Sequence, residues 1–440
     1  MLKKFCVAII FLCALQAWSQ VEPSATGGET APENDQMMMP PPVSGVAFPS
    51  VGLSETKSNF LDGGIDFTTA FDDNVLAGEF THPISDRIYS ILPSISLDQK
   101  TARQHRTFSY GAGFTFYDPT TTLNNVDQNG EFLYDYRFSP RVAITLQDQF
   151  MQFSDVFSSA TALTGGQVSG SAGIPDVIAP FGARITNTGT VGITYQFGLN
   201  AMVGGGGTSS LLDYNHTSQV PGLYNSLQSS GTAFYSRRLG TSQYVGALFL
   251  LNHVSTTPIP SITDGYTSSI YYTLFWKRDF SVSVVAGGEY FNATESGVRA
   301  AHAWVPAVTA SLGWQPQKGY LAARYSRTVT GGGGLLGSYT ATAINGSGGW
   351  RLTKAWSFGA SADYGLNKNE TPVQFSSGSG GHSISGAVTL GRSFLEHYSI
   401  KGGYERLHES YSGIQAISND PDSNREYVTV SYHFTRPLGK

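Results

Sequence analysis

From about residue 60 to Phe434 the chain runs as a succession of amphipathic segments whose interruptions alternate, one short and the next long. Short breaks are Phe138-Ser139-Pro140-Arg141, Lys277-Arg278-Asp279, Gln315-Pro316-Gln317-Lys318 and Thr353-Lys354. Between them stand longer stretches rich in Gly, Ser, Asn and Asp, at 154–183, 208–221, 255–265 and 409–424. A meander in a soluble sheet has no reason to keep this alternation. A barrel threaded through a membrane does, because its turns are short on the periplasmic side and its loops long on the other.

Within the segments, residues alternate between two faces with the period of a strand. Phe108, Tyr110, Ala112, Phe114 and Phe116 share one face, and Ser109, Gly111, Gly113 and Thr115 the other. Tyr266, Ile270, Tyr272, Leu274 and Trp276 oppose Thr267, Ser269 and Thr273; Val282, Val284, Ala286 and Tyr290 oppose Ser281, Ser283, Gly287 and Glu289. Trp356, Phe358, Ala360, Ala362 and Tyr364 oppose Ser357, Gly359, Ser361 and Asp363. One face is apolar with aromatics near the ends, and the other is small and polar. Such a pattern serves either a sandwich core or a lipid-facing wall.

Three further features favour the membrane. Charged residues make up 13% of the chain, about half the usual ~25%. Residues 1–19 have the form of a secretory leader, with Lys3 and Lys4, an apolar Phe5–Leu15 core and the small-x-small site Ala17-Trp18-Ser19. Past this leader no run of 18 apolar residues exists, so membrane insertion requires a closed sheet. Both cysteines, Cys6 and Cys13, fall in the leader, so the mature chain is expected to hold neither disulfides nor thiolate metal sites. It carries 25 basic against 32 acidic residues, without the basic cluster that nucleic acid demands.

The expected fold is all-β: a transmembrane antiparallel up-and-down barrel of sixteen to eighteen strands, the segments near 65–71 and 199–208 being the weakest. The barrel is placed at 60–434, behind a Pro-rich disordered periplasmic tail at 20–59 and ahead of a short C-terminal tail at 435–440. Pro93 and Pro306 fall inside strand patterns and are expected at bulges or membrane edges. In the last segment Val428, Val430, Tyr432 and Phe434 alternate with Thr429, Ser431 and His433. It resembles the signal that outer-membrane barrels present to the barrel assembly machinery, although Thr435–Lys440 follow the aromatic that usually ends it.

The start of the barrel carries a more specific pattern. Phe71-Asp72-Asp73-Asn74-Val75 closes the first strand, Asp86 to Ile95 opens the second around Pro93, and Arg106–Tyr117 and Glu131–Phe138 follow as aromatic-rich strands. This order, over residues 60–155, resembles the beta-barrel porin family whose members often accompany exopolysaccharide export systems in Gram-negative bacteria. The resemblance implies an outer-membrane pore and, beyond it, polysaccharide secretion.

No chemistry-bearing motif competes with a pore. The nine His have no helix-borne zinc spacing, and no nucleophile-elbow motif is present. The glycine clusters 204–207 and 331–334 lack the Gly-Lys-Ser/Thr of a phosphate loop and read as loop or strand-end glycine. No catalytic residue, metal or cofactor is expected. Alternation puts Asp135, Arg137, Glu289, Arg324, Asp363, Lys401 and Glu405 on the polar face, where they would line the lumen, either setting solute preference or pairing across strands. Tyr271 and Tyr320 are placed there too, as flat rings that could stack on sugars. The sequence thus points to a porin-like, non-enzymatic channel embedded in outer-membrane lipid, passing small solutes by diffusion or a polysaccharide for export. The alternatives from other classes are a barrel-borne hydrolase or lipid-modifying enzyme and an adhesive surface barrel.

Overall fold

A computed structural model of the chain describes residues 59–75, 83–153, 183–215, 222–276, 279–295, 300–330, 334, 336–370, 380–394, 397–412 and 422–438. The expected leader and most of the Pro-rich segment therefore lie outside the described residues, as does nearly all of the 154–183 stretch. Eighteen strands follow one another: β1 (Phe60–Asp72), β2 (Asp86–Lys100), β3 (Gln104–Asp118), β4 (Asn125–Ser139), β5 (Val142–Phe153) and β6 (Arg184–Gln196). Next come β7 (Ala201–Tyr214), β8 (Asn225–Arg238), β9 (Gln243–Thr257), β10 (Ser261–Trp276), β11 (Phe280–Glu295) and β12 (Ala301–Trp314). The last six are β13 (Gly319–Thr330), β14 (Tyr339–Arg351), β15 (Trp356–Asn369), β16 (Gly380–Phe394), β17 (Tyr398–Ser412) and β18 (Asp422–Pro437). Each strand pairs antiparallel with its neighbours in sequence, and β1 also pairs with β18, so the sheet closes into an up-and-down barrel.

The weak segments near 65–71 and 199–208 are both strands, β1 and β7, which decides the count at eighteen. The even-to-odd connections, such as 101–103, 140–141 and 352–355, are short and define a turn rim. Most of the others are longer and define a loop rim. The expected long stretches are trimmed by strands, 208–214 lying in β7, 409–412 in β17 and 422–424 in β18, and one stretch is overturned. Residues 255–265 are mostly strand, and only 258–260 separate β9 from β10. Ser261, Thr263 and Gly265 are buried inner-face positions, so the small and polar composition there largely reflects the lumen and not a loop. The 204–207 glycines likewise lie inside β7 and not at a strand end.

The outer face is apolar. Ile91, Ile193, Phe249, Ile270, Ile344, Val388 and Val430 stand exposed on it, and no solvent-covered core lies beyond them. Aromatic pairs gather near the turn rim, including Trp276–Phe280, Trp314–Trp350 and Phe394–Tyr398 with ring centroids 5.9–6.2 Å apart. An exposed apolar band ending in aromatic girdles is the surface of a membrane-spanning barrel. The inner face carries hydroxyl pairs between adjacent strands: Thr68–Thr429 (2.8 Å), Thr190–Thr208 (3.1 Å) and Thr273–Ser283 (2.8 Å). Such pairs stabilise a sheet as cross-strand neighbours and present oxygen atoms to water.

Neither internal proline marks a bulge or a membrane edge. Pro93 lies mid-strand, where the β2–β3 ladder skips from Ile91↔Phe114 to Ser94↔Gly111. Pro306 lies in the middle of β12, where pairing with β13 covers only Val308–Trp314. In both cases the missing N–H removes a rung. The register shift falls elsewhere, between Arg137 and Ser139 at the end of β4.

The Phe71–Val75 motif is the clasp of the barrel seam. Asp72 Oδ2 accepts from Arg425 Nε (3.1 Å) and Nη2 (2.9 Å), and its Oδ1 accepts from the Ser423 hydroxyl (2.8 Å) and the Asn74 N–H (2.9 Å). Asp73 accepts from the backbone and side-chain nitrogens of Asn424, both at 2.8 Å, and the Asn74 amide reaches the Asp422 carbonyl. Val75 packs with Ala70, Ile88 and Tyr117. The strand β18 continues past Phe434 to Pro437, pairing with Phe60–Asp62 of β1. Because Asp72 is 1% exposed, Arg425→Met should strand a buried carboxylate and cost about 3–5 kcal/mol. The measurement is the urea midpoint of the heat-modifiable, folded species, which should fall well below that of the parent protein.

Candidate functional site: the inner wall and its constriction

All seven charged residues expected to face the lumen lie at inner-face positions, since each has the parity of the unexposed residues in its strand. They do not form one site. Asp135 and Arg137 stand near the turn rim on β4, where Thr145 donates to Asp135 Oδ1 at 2.7 Å. His105 sits beside them on β3, 3.3 Å from Asp98 and 4.0 Å from Asp135. Glu131 lies two inner positions away along β4, with Leu133 between, and takes the Gln147 amide at 3.3 Å. Asp98, His105, Glu131 and Asp135 thus make one acid-rich patch on the inner wall of β2–β5. Glu131 was within reach of sequence reasoning, because it shares the alternation phase of Asp135 and Arg137.

Asp363 accepts side-chain hydrogen bonds from Asn345 (2.8 Å) and Ser385, so its neighbours on β14 and β16 hold it against the wall. Lys401 and Glu405 share the inner face of β17, with Glu405 opposite Arg425 in the β17–β18 register. Arg324 is half-buried on β13, opposite Asn345. Tyr271 offers no free face for a sugar. It is 2% exposed, donates to the Tyr235 carbonyl at 3.3 Å, and lies over Gly246, where a Cβ would collide with both groups. Tyr320 lies over Gly349 in the same way, but is only half-buried.

Glu289 has a role that alternation alone did not reveal. Beyond Val308↔Arg327, β13 leaves β12 and leans into the barrel. The Val329 side chain, which the phase of β13 would put outside, instead packs on the inner-face residues Phe291, Ala293, Ala303 and Val305. Its N–H, freed from the ladder, donates to Glu289 Oε2 at 2.9 Å, and Glu289 is 2% exposed beneath it. The hairpin tip continues along the wall. Ser338 shares a buried hydrogen bond with Thr263 of β10 (2.7 Å), and the Gly334 carbonyl accepts from the Tyr224 N–H (2.7 Å). The φ of +95° at Gly334 and at Gly337 explains why glycines stand at this tip. The described residues of the β13–β14 tip, Val329 on β11, Ser338 on β10 and Gly334 at Tyr224 before β8, therefore lie on the lumen side of the wall near the loop rim.

Among the described residues no group of His, Cys, Asp and Glu is placed to hold a metal ion. No family model matches the sequence, and no curated protein matches it. Solved structures overlap it weakly. Pseudomonas aeruginosa OpdK, crystallised with vanillate, is 8% identical at a TM-score of 0.41, covering 86% of this chain and 99% of its own. Acinetobacter baumannii OccAB4 is 8% identical at 0.42 over the same shares. The ferric-catecholate import receptor Fiu from E. coli K12 is 10% identical at 0.40, covering 86% of this chain and 82% of its own. At this overlap the likenesses assign no residue, solute or activity to the chain.

The constriction gives a direct expectation. Deleting 331–338 and joining the strands by a short turn should raise single-channel conductance about twofold or more, since Gly334 and Ser338 are held on the lumen side of the wall. Heat-modifiable migration should persist, because every strand of the wall is retained.

Proposed function

We propose that the protein is an outer-membrane channel that passes small hydrophilic solutes by diffusion. The observation that carries this reading is the division of the closed eighteen-stranded wall into an apolar outer face and a hydroxyl- and charge-bearing inner face. Barrels of sixteen to eighteen strands enclose enough space for an aqueous channel. The leader-like N-terminus and the alternation of short turns with longer loops support an outer-membrane setting, with the turn rim toward the periplasm. The inner wall filters by width at the β13–β14 tip and by charge at the Asp98–Glu131–Asp135 patch. No step of covalent chemistry is required.

Passage of a polysaccharide is the narrower form of this proposal. It rests on the resemblance of residues 60–155 to export-associated barrels, of which the Phe71–Val75 clasp serves the seam and faces no passing chain. Sugar passage would rely on the inner-wall hydroxyls and on the half-buried Tyr320 ring.

Purified, heat-modifiable protein in a planar bilayer should show discrete conductance steps, and their absence would sink the channel reading. Glu131→Gln together with Asp135→Asn should lower the cation-over-anion permeability ratio by about twofold, measured as a shift in reversal potential under a salt gradient.

A further inference from the structure

We propose that the wall carries a lateral binding notch for a lipid with a net anionic phosphate headgroup, at the point where β12 and β13 part. The proposal rests on the barrel spanning a bilayer and is independent of whether it conducts.

Ladder pairing between the two strands ends at Val308↔Arg327, and from Val305 to Ala307 the edge of β12 is not paired by Thr328–Thr330, the described residues that would continue the ladder. In hydrocarbon an unsatisfied backbone group costs several kcal/mol, so an edge left open on the lipid side requires a partner. Water does not supply one within the apolar band. The freed β13 N–H at Val329 is satisfied from inside by Glu289, which lies on the lumen side and away from the β12 edge.

Arg327 marks the chemistry of the missing partner. It occupies the last rung before the strands part, opposite Val308 on β12 and Thr342 on β14. Its phase is that of exposed Leu321, which puts it on the outer face, in the loop-side third of β13. Its Nε is buried and without a hydrogen-bond partner, and it forms no ion pair among the described residues. The outer-face side chains on this part of β12 are His302, Trp304, Pro306 and Val308, and none is acidic. A guanidinium at this depth, beside open backbone donors, fits an anionic headgroup with several acceptor oxygens. A phosphate supplies the acceptors for Arg327 and the edge N–H groups, and headgroup hydroxyls can donate to the edge carbonyls. Trp304, 70% exposed at the notch, supplies an apolar ring against which an acyl chain can lie.

The test uses the full protein in nanodiscs containing trace photoactivatable phosphatidylglycerol or phosphatidylcholine, with labelled peptides mapped by mass spectrometry. Phosphatidylglycerol should label 300–308 and 325–330 about fivefold more than phosphatidylcholine does, the preference expected of one basic side chain near the surface. Arg327→Gln should erase that preference and Arg327→Lys should keep part of it. Labelling spread evenly around the barrel, equal labelling by the two headgroups, or a preference unchanged in Arg327→Gln would each overturn the proposal. Crosslinked dimers joined through this segment would also overturn it, by seating a second copy in the notch. Should Arg327→Gln fail to give heat-modifiable protein, the contrast between headgroups in the parent protein decides alone. Conductance of the same preparation reads the channel separately.

Discussion

Backbone hydrogen bonding in the absence of water is the constraint on which every other feature depends. A sheet in hydrocarbon must leave no edge, so the first and last strands have to meet across the whole length of the barrel. The β1–β18 seam does this with continuous register along β1, and the Asp72–Arg425 pair stands at its loop-rim end. A buried ion pair is a weak net stabiliser, because desolvation offsets most of the attraction. Its stronger contribution here is to register. A slip of β1 by one residue against β18 would turn Asp72 and Asp66 toward lipid and Phe67 into the lumen, and would part Asp72 from Arg425. The clasp therefore selects the closed register over its neighbours.

Closure also decides where polarity goes. With the outer face committed to lipid, hydroxyls and charges collect on the inner face, and no single core forms. Packing is instead local, as in the Met202, Tyr244, Phe234 and Phe275 group on β7–β10 and the Val75 group beside the seam. Inner-face aromatics lie along the wall where glycine leaves room for them, as Tyr271 does over Gly246. The abundance of Gly, Tyr and Phe in the composition is thus the footprint of a curved wall with side chains laid flat against it.

Alternation made the faces legible, and neighbours much less so. The phases of β3, β4, β10, β11 and β15 correctly separate inner from outer positions, and they place Asp135 and Asp363 as the structure does. Polar composition reads 255–265 as a loop, because the loop ends of β9 and β10 present Ser, Thr and Gly to the interior. In a barrel, polar composition marks the inside as readily as a loop. β7 was weak for a related reason: glycines at 204–207 occupy both of its faces and erase the contrast on which phase depends. Glu289 shows the sharper limit. Its phase is right, but a partner on β13 requires that strand to leave the wall, and the only local sign of this is Pro306.

The departure at Pro306 joins the interior of the barrel to its lipid face. Pulling β13 inward narrows the lumen and, by the same displacement, opens the β12 edge. The rungs lost above Val308 each carry a cost of order 1 kcal/mol or more. Inside, the Glu289–Val329 bond, the apolar seat of Val329 and the Thr263–Ser338 bond offset it. Outside, the cost stands until acceptors and donors arrive at the notch. Whatever satisfies the β12 edge therefore favours the inward position of the β13–β14 tip over a restored ladder, and so favours the narrow lumen. Linkage makes this reciprocal: a tip held inward binds the lipid more tightly, and a bound lipid holds the tip inward.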